Sequence, residues 1–198
     1  MTVRRLQRGF TLVEIVVTLA VLALIMFAVA PNIGTWLANT RVRNIADSLQ
    51  NGLQTARAEA IRRNQSMSFW LVQTDDPGVL GNECTLASNS GSWVVSVNSP
   101  VAHCADQPST TSSPMLVAGR AMGNGQPVTV AALQSDKTTA ANSITFHGFG
   151  RVSSTSPIGF IDVSGTGTRN LRIEISTAGA VRLCDPAVSS ENDPRKCL

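Results

Sequence analysis

Charge is scarce in this chain: charged residues make up 15% of its 198 residues, against 43% hydrophobic. That balance excludes a disordered chain and a simple nucleic-acid tail, since both carry much charge and little apolar surface. Net charge is scarcer still once its distribution is considered. The formal value is +3, from 16 basic and 13 acidic residues, but Arg4, Arg5 and Arg8 all stand within the first nine residues. Without those three, 13 basic residues face 13 acidic ones, and the remainder exerts no global pull on polyanions. The length excludes a large multidomain enzyme, while about 150 residues beyond a terminal appendage suffice for one hydrophobic core without a metal.

Catalytic motifs are missing as well. There is no G-x-S-x-G elbow, no G-x-x-x-x-G-K-[ST] loop and no H-E-x-x-H, and Gly148-Phe149-Gly150 lacks the third glycine of a dinucleotide fingerprint. A hydrolase needs a nucleophile, a base and an orienting group that meet in space. His103 and His147 are the only histidines, and both read as structural or solvent-facing residues near loops or strand ends. We expect no enzyme, no cofactor and no metal. Trp36 and Trp70 read as interface and core aromatics rather than platforms for nucleobases.

The four cysteines, Cys84, Cys104, Cys184 and Cys197, contain no C-x-x-C and no Cys/His pair at zinc-ligand spacing. An even count with wide spacing favours disulfides and an oxidising compartment. Three connectivities exist for four cysteines. We expect Cys84 with Cys104 and Cys184 with Cys197, because each pairing closes a short turn-rich stretch. In the chain-entropy account each such closure contributes about 3 kcal/mol.

What the chain has in abundance is one apolar run. Phe10 to Ala30 is FTLVEIVVTLAVLALIMFAVA, with Glu14 its one charge, and about 20 apolar residues span a hydrocarbon core as a helix. The arginines before it place the short amino-terminal side in the cytoplasm and the rest outside. A cleaved secretory signal fits poorly: the run is longer than a signal core, and it leads through Pro31 straight into an amphipathic segment. Glu14 costs about 2.5 to 3.5 kcal/mol at a central membrane position and less near an end, so it is either interfacial or retained for a cationic partner.

Beyond Pro31, where a helix would kink or restart, Val42, Ile45, Leu49, Leu53, Ala56 and Ala60 recur at helical spacing. Arg41, Arg43, Asp47, Gln50, Gln54 and Arg57 fall on the opposite face. Arg57, Arg62 and Arg63 cluster toward the end, where cations complement the helix dipole. After Arg63 the pattern turns to short strands separated by Gly, Pro, Asn and Ser, as in a mostly antiparallel β domain. Expected strands are 67–72, 93–97, 128–133, 144–146, 159–163, 171–176 and 180–183, the last two joined by Thr177-Ala178-Gly179 as a hairpin loop. Segments 74–92 and 98–126 read as long loops, of the kind that are often functional.

The string Arg8-Gly9-Phe10-Thr11-Leu12-Val13-Glu14 closely resembles the class III signal of type IV pilins and type II secretion pseudopilins. Ala56-Arg57-Ala58-Glu59-Ala60-Ile61, Ile144-Thr145-Phe146 and the stretch from Ile173 to Cys184 around Gly179 resemble the GspH/FimT (FimU-like) branch of that family. The resemblance implies an α+β pilin-like fold: a leader at 1–9, a transmembrane or fibre-core helix at 10–30, an amphipathic helix at 31–63 and an extracytoplasmic β domain at 64–198. It implies cleavage by prepilin peptidase between Gly9 and Phe10, with N-methylation of Phe10. Glu14, the fifth mature residue, matches the glutamate that neutralises a neighbouring subunit's amine during assembly, and Pro31 stands where the family's helix bends or melts.

By the same resemblance the chain is a single-pass protein of a bacterial inner membrane, among membrane lipid, until it enters a fibre. Its partners are then other minor pilins and the major pilin, or pseudopilins, together with the inner-membrane assembly platform. The expected role is that of a minor pilin near the fibre tip, helping to prime assembly. Minor pseudopilin H of a type II secretion system is the alternative. Some FimT-like members resemble DNA receptors with G-R-x-R in the last hairpin. Here Gly179-Ala180-Val181-Arg182 keeps only the second arginine, so Arg169, Arg172 and Arg182 are the candidate DNA contacts, offset by Glu174, Asp185, Glu191 and Asp193.

Overall fold

A computed structural model describes residues 9–123 and 127–198, and the side chains of residues 28–32 lie outside the described residues. Arg4, Arg5 and Arg8 and the side chain of Pro31 therefore lie outside the described residues. Two compact units are present, Met1–Leu37 and Ala38–Leu198.

One long helix, α1, runs over Leu12–Arg63. It opens on Thr11, whose Oγ1 accepts the Glu14 backbone N–H at 3.2 Å, the bond of an N-cap to its third helical residue. It closes on Asn64, which has a positive φ of 47°, with Gln65 N–H donating to the Ala60 carbonyl at 3.1 Å. That six-to-one bond beside a left-handed residue is the Schellman solution to unsatisfied carbonyls. The helical backbone continues through Pro31, so the helix does not restart there. A proline removes one internal hydrogen bond but does not by itself end a helix this long.

In the first unit the apolar side chains of α1 stand exposed: Leu12, Val13, Val16, Leu19, Leu24 and Phe27 are each more than half exposed. In the second unit the periodic residues Val42, Ile45, Leu49, Leu53, Ala56 and Ala60 are all buried. Gly52 makes this packing close. A Cβ there would lie 2.7 Å from Phe69 Cε2 and 2.8 Å from Trp93 Cδ2, and those two rings stack at 5.9 Å.

The helix covers two antiparallel sheets. The first holds β1 (Met67–Gln73), β2 (Thr85–Leu86), β3 (Ser92–Ser96) and β4 (Leu116–Arg120) in the order β2-β1-β3-β4, with β6 (Ser143–Phe146) also paired to β1. The second holds β5 (Val128–Leu133), β7 (Phe160–Gly165), β8 (Leu171–Ile175) and β9 (Val181–Cys184), in the order β5-β7-β8-β9. Alternation sorts the strands' faces. Met67, Phe69 and Leu71 of β1 and Trp93 and Val95 of β3 join the core under the helix, while Val72 and Val94 join a smaller cluster with Cys84, Cys104 and Leu116. Trp70 packs against that smaller cluster, half-buried.

Cys84 is bonded to Cys104 and Cys184 to Cys197. The first bond joins the two long turn-rich segments, and the second of those segments is not all loop: it contains β4. Arg57 also departs from expectation. Instead of facing solvent it is half-buried and donates from Nε to the Gly150 carbonyl at 3.1 Å.

Candidate functional site

Two regions carry features that packing does not use up. At the amino-terminal end, Gly9 and Phe10 precede α1 outside any helix or strand, and Phe10 is 80% exposed. Among the described residues, no heavy atom lies within 4 Å of the position a Cβ would take on Gly9. Glu14 is exposed and belongs to no ion pair among the described residues. Its place in the first turn suits the positive end of the helix dipole. The Thr11-x-x-Glu14 spacing is the sign of this cap in the sequence. Among the described residues no helix is long and apolar enough to cross a membrane. The described side chains of the apolar run stop at Phe27, and the expected span continues into residues 28–30, outside that set.

The second region lies at the end of the β8–β9 hairpin. Arg43 and Gln50 of α1, Arg169, Arg182, Asp185 and Arg195 contribute to a cavity of about 440 Å³. Of the sequence-predicted arginines, Arg169 and Arg182 line this cavity and Arg172 does not, and the three differ in state. Arg169 donates from Nε to the buried Asp185 carboxylate. Arg172 faces Asp162 across the β7–β8 register and binds it twice, Nε to Oδ1 at 2.6 Å and Nη2 to Oδ2 at 2.9 Å. The hydrogen bonds it donates to Asp162 raise the Arg172 pKa above its ordinary value. Arg182 has no ion-pair partner within 4.0 Å among the described residues, and its Nε is buried without an acceptor. Arg195 is engaged by Asp193, whose carboxyl it holds down at about 2.

The hairpin itself is locked to the helix by two glycines. Gly179 has φ +81°, and a Cβ on it would fall 2.0 Å from the Gly150 carbonyl oxygen, the same atom that accepts the Arg57 hydrogen bond. Only glycine meets both conditions. Farther along, Glu174 is buried and accepts the Leu198 backbone N–H at 3.1 Å, beside the Cys184–Cys197 bond.

Chemistry on these side chains is limited. Among the described residues, Glu174, Cys184 and Cys197 form the one cluster with metal-ligand spacing, and both sulfurs are committed to a disulfide. His103 Nδ1 lies 2.9 Å from Asp106 Oδ2, and His147 Nδ1 accepts the Phe149 N–H at 3.1 Å.

Two family models and two crystal structures are similar to this chain. The family model described as type II transport protein GspH matches residues 46–179, and that of the prokaryotic N-terminal methylation motif matches residues 4–30. Crystal structures of the Pseudomonas aeruginosa type IV minor pilin FimU are similar in fold. One shares 16% identity with a TM-score of 0.51, over 77% of this chain and 94% of that one. A second crystal form gives 16% identity and a TM-score of 0.47 over 75% and 97%. No curated protein matches the chain.

Proposed function

Because the chain belongs to the type II transport protein GspH family, we propose that it is a minor pilin of a type IV pilus, made as a precursor and packed into a fibre by its amino-terminal helix. Prepilin peptidase cuts the exposed Gly9–Phe10 bond, and Phe10 is N-methylated. The helix from Phe10 holds the subunit in the inner membrane with its amino terminus cytoplasmic and its β domain periplasmic. On assembly the same apolar residues exchange lipid for neighbouring helices. Glu14 then meets the amino-terminal amine of another subunit, which offsets the cost of placing a carboxylate in an apolar fibre core.

The observation that carries this reading is the exposed apolar surface of α1 inside the stretch that matches the methylation motif. Apolar surface of this extent marks a membrane or a partner. FimU, titled a type IV minor pilin, supports a pilus over a secretion pseudopilus. The partners are other minor pilins, the major pilin and the inner-membrane assembly platform, with a place in the priming complex at the tip. Peptides beginning at N-methylated Phe10, recovered by mass spectrometry from sheared surface fibres with major pilin, are the expected result. Recovery only from the membrane, crosslinked to pseudopilins, would move the protein to type II secretion, and an uncleaved amino terminus would end the reading.

A second reading, DNA binding at the β8–β9 end, is favoured by one observation: Arg182 is unpaired and its Nε lacks an acceptor in a cavity lined by three further arginines. Phosphate contacts make affinity fall steeply with salt. Salt-sensitive DNA binding that disappears in Arg182→Ala would support it, whereas no binding at low salt would exclude it.

A further inference from the structure

A separate cleft of about 230 Å³ lies between α1 and the region where β4 ends. Its helical wall comprises Arg41, Asn44, Ile45 and Ser48, which share one face because they follow at i, i+3, i+4 and i+7. Arg120, the last residue of β4, and Met122 line it from the sheet side. The two sides are tied together. Arg120 stands opposite Trp93 in the β3–β4 register, and the Trp93 indole N–H donates to Ser48 Oγ at 3.0 Å. The Met122 N–H donates to Ser92 Oγ at 2.8 Å, and a Cβ on Gly91 would lie 2.8 Å from Met122 Sδ and 3.3 Å from Ile45 Cγ2.

All the charge lining this cleft is positive. Among the described residues, no aspartate or glutamate lines it. Arg43, Arg62, Arg63, Arg169, Arg172 and Arg195 each have an acidic partner. Among the described residues neither Arg41 nor Arg120 belongs to an ion pair. Ser48, having accepted from Trp93, keeps its own O–H to donate, and Asn44 adds an amide. Two guanidiniums suit a carboxylate, which they can bind bidentately. Ile45 and Met122 suit the methylenes of a side chain, which a bare phosphate lacks. The volume is below the roughly 300 Å³ at which small-molecule pockets begin.

We infer that this cleft receives a glutamate side chain from a protein partner. The inference rests on the assembly reading only for the partner's identity, another fibre subunit. The test is made on isolated protein, so failure of fibre incorporation and failure of carboxylate binding are separate outcomes. Full-length ¹⁵N-labelled protein in detergent micelles is titrated with N-acetyl-glutamate N-methylamide. The readout is the Trp93 indole N–H, assigned by its absence in Trp93→Phe.

The expected result is a saturable shift in the millimolar range, as befits a single side chain. The apparent affinity should fall about tenfold in Arg41→Gln and in Arg120→Gln, each with an otherwise unchanged amide spectrum. The neutral glutamine analogue should leave the signal in place. A Trp93 signal that stays still up to about 100 mM overturns the proposal, as does an equal shift with the glutamine analogue or in the arginine variants. Saturation by inorganic phosphate without saturation by the glutamate analogue would also overturn it, marking the cleft as a site for free anions.

Discussion

The two ends of α1 have the same backbone and opposite fates for their apolar residues. Between Leu12 and Phe27 large apolar side chains stand exposed around the helix, whereas between Val42 and Ala60 they form one stripe buried against the sheets. Helical backbone therefore says nothing about where apolar surface goes. The arrangement of polar residues decides it: an all-round apolar helix needs an apolar medium or several helical neighbours, and a striped one needs a single packed face.

Placing a charge at equivalent positions would test this contrast most severely. Leu53→Asp puts an unpaired carboxylate into the core and should cost more than about 4 kcal/mol, enough to abolish cooperative unfolding of the β domain by circular dichroism in micelles. Leu19→Asp should leave that transition in place and instead prevent recovery of the subunit in fibres. Equal loss of domain stability in both variants would erase the distinction.

Gly179→Ala sharpens the comparison from the sheet side, because the hairpin meets the buried half of α1 through Gly150 and Arg57. Strain at positive φ plus a clash with the Gly150 carbonyl should destabilise by more than about 2 kcal/mol, measured by urea denaturation. Gly52→Ala should cost about 1 to 3 kcal/mol, since its contacts are side-chain ring carbons of Phe69 and Trp93 rather than backbone. A neutral result there would mean the helix does not sit hard against Phe69 and Trp93.

The smallest effect concerns pH. Hydrogen bonds from Arg62, then Arg63, hold Glu59 below its ordinary pKa. A carboxyl lowered on folding contributes stability that is present above its unfolded pKa and lost as pH falls through the folded value. Glu59→Gln should therefore destabilise slightly at neutral pH and narrow its gap to the parent protein as pH drops below the ordinary carboxylate value. A gap that stays constant would assign the pair no role.

Much of this arrangement could be read before any coordinates. Val128 to Leu133 is a strand with the bounds its composition suggests, and the helical stripe needed only the spacing of six residues. β2, two residues long, is too short to show a period, and Leu116 to Arg120 contains Gly119 and Ala118 where a strand would advertise branched side chains. Arg57 looked like a surface cation because its acceptor, Gly150, lies 93 residues away. The pairing of Arg169 and Arg172 was equally hidden, since it depends on which carboxylate the folded chain places beside each arginine.

The Cys84–Cys104 bond has a consequence for recognition. It welds the two segments whose composition most resembles mobile loop, with β4 added to one and β2 to the other. A surface built from those segments has already met its ordering cost during folding, so a neighbour docking on it gives up little further conformational entropy.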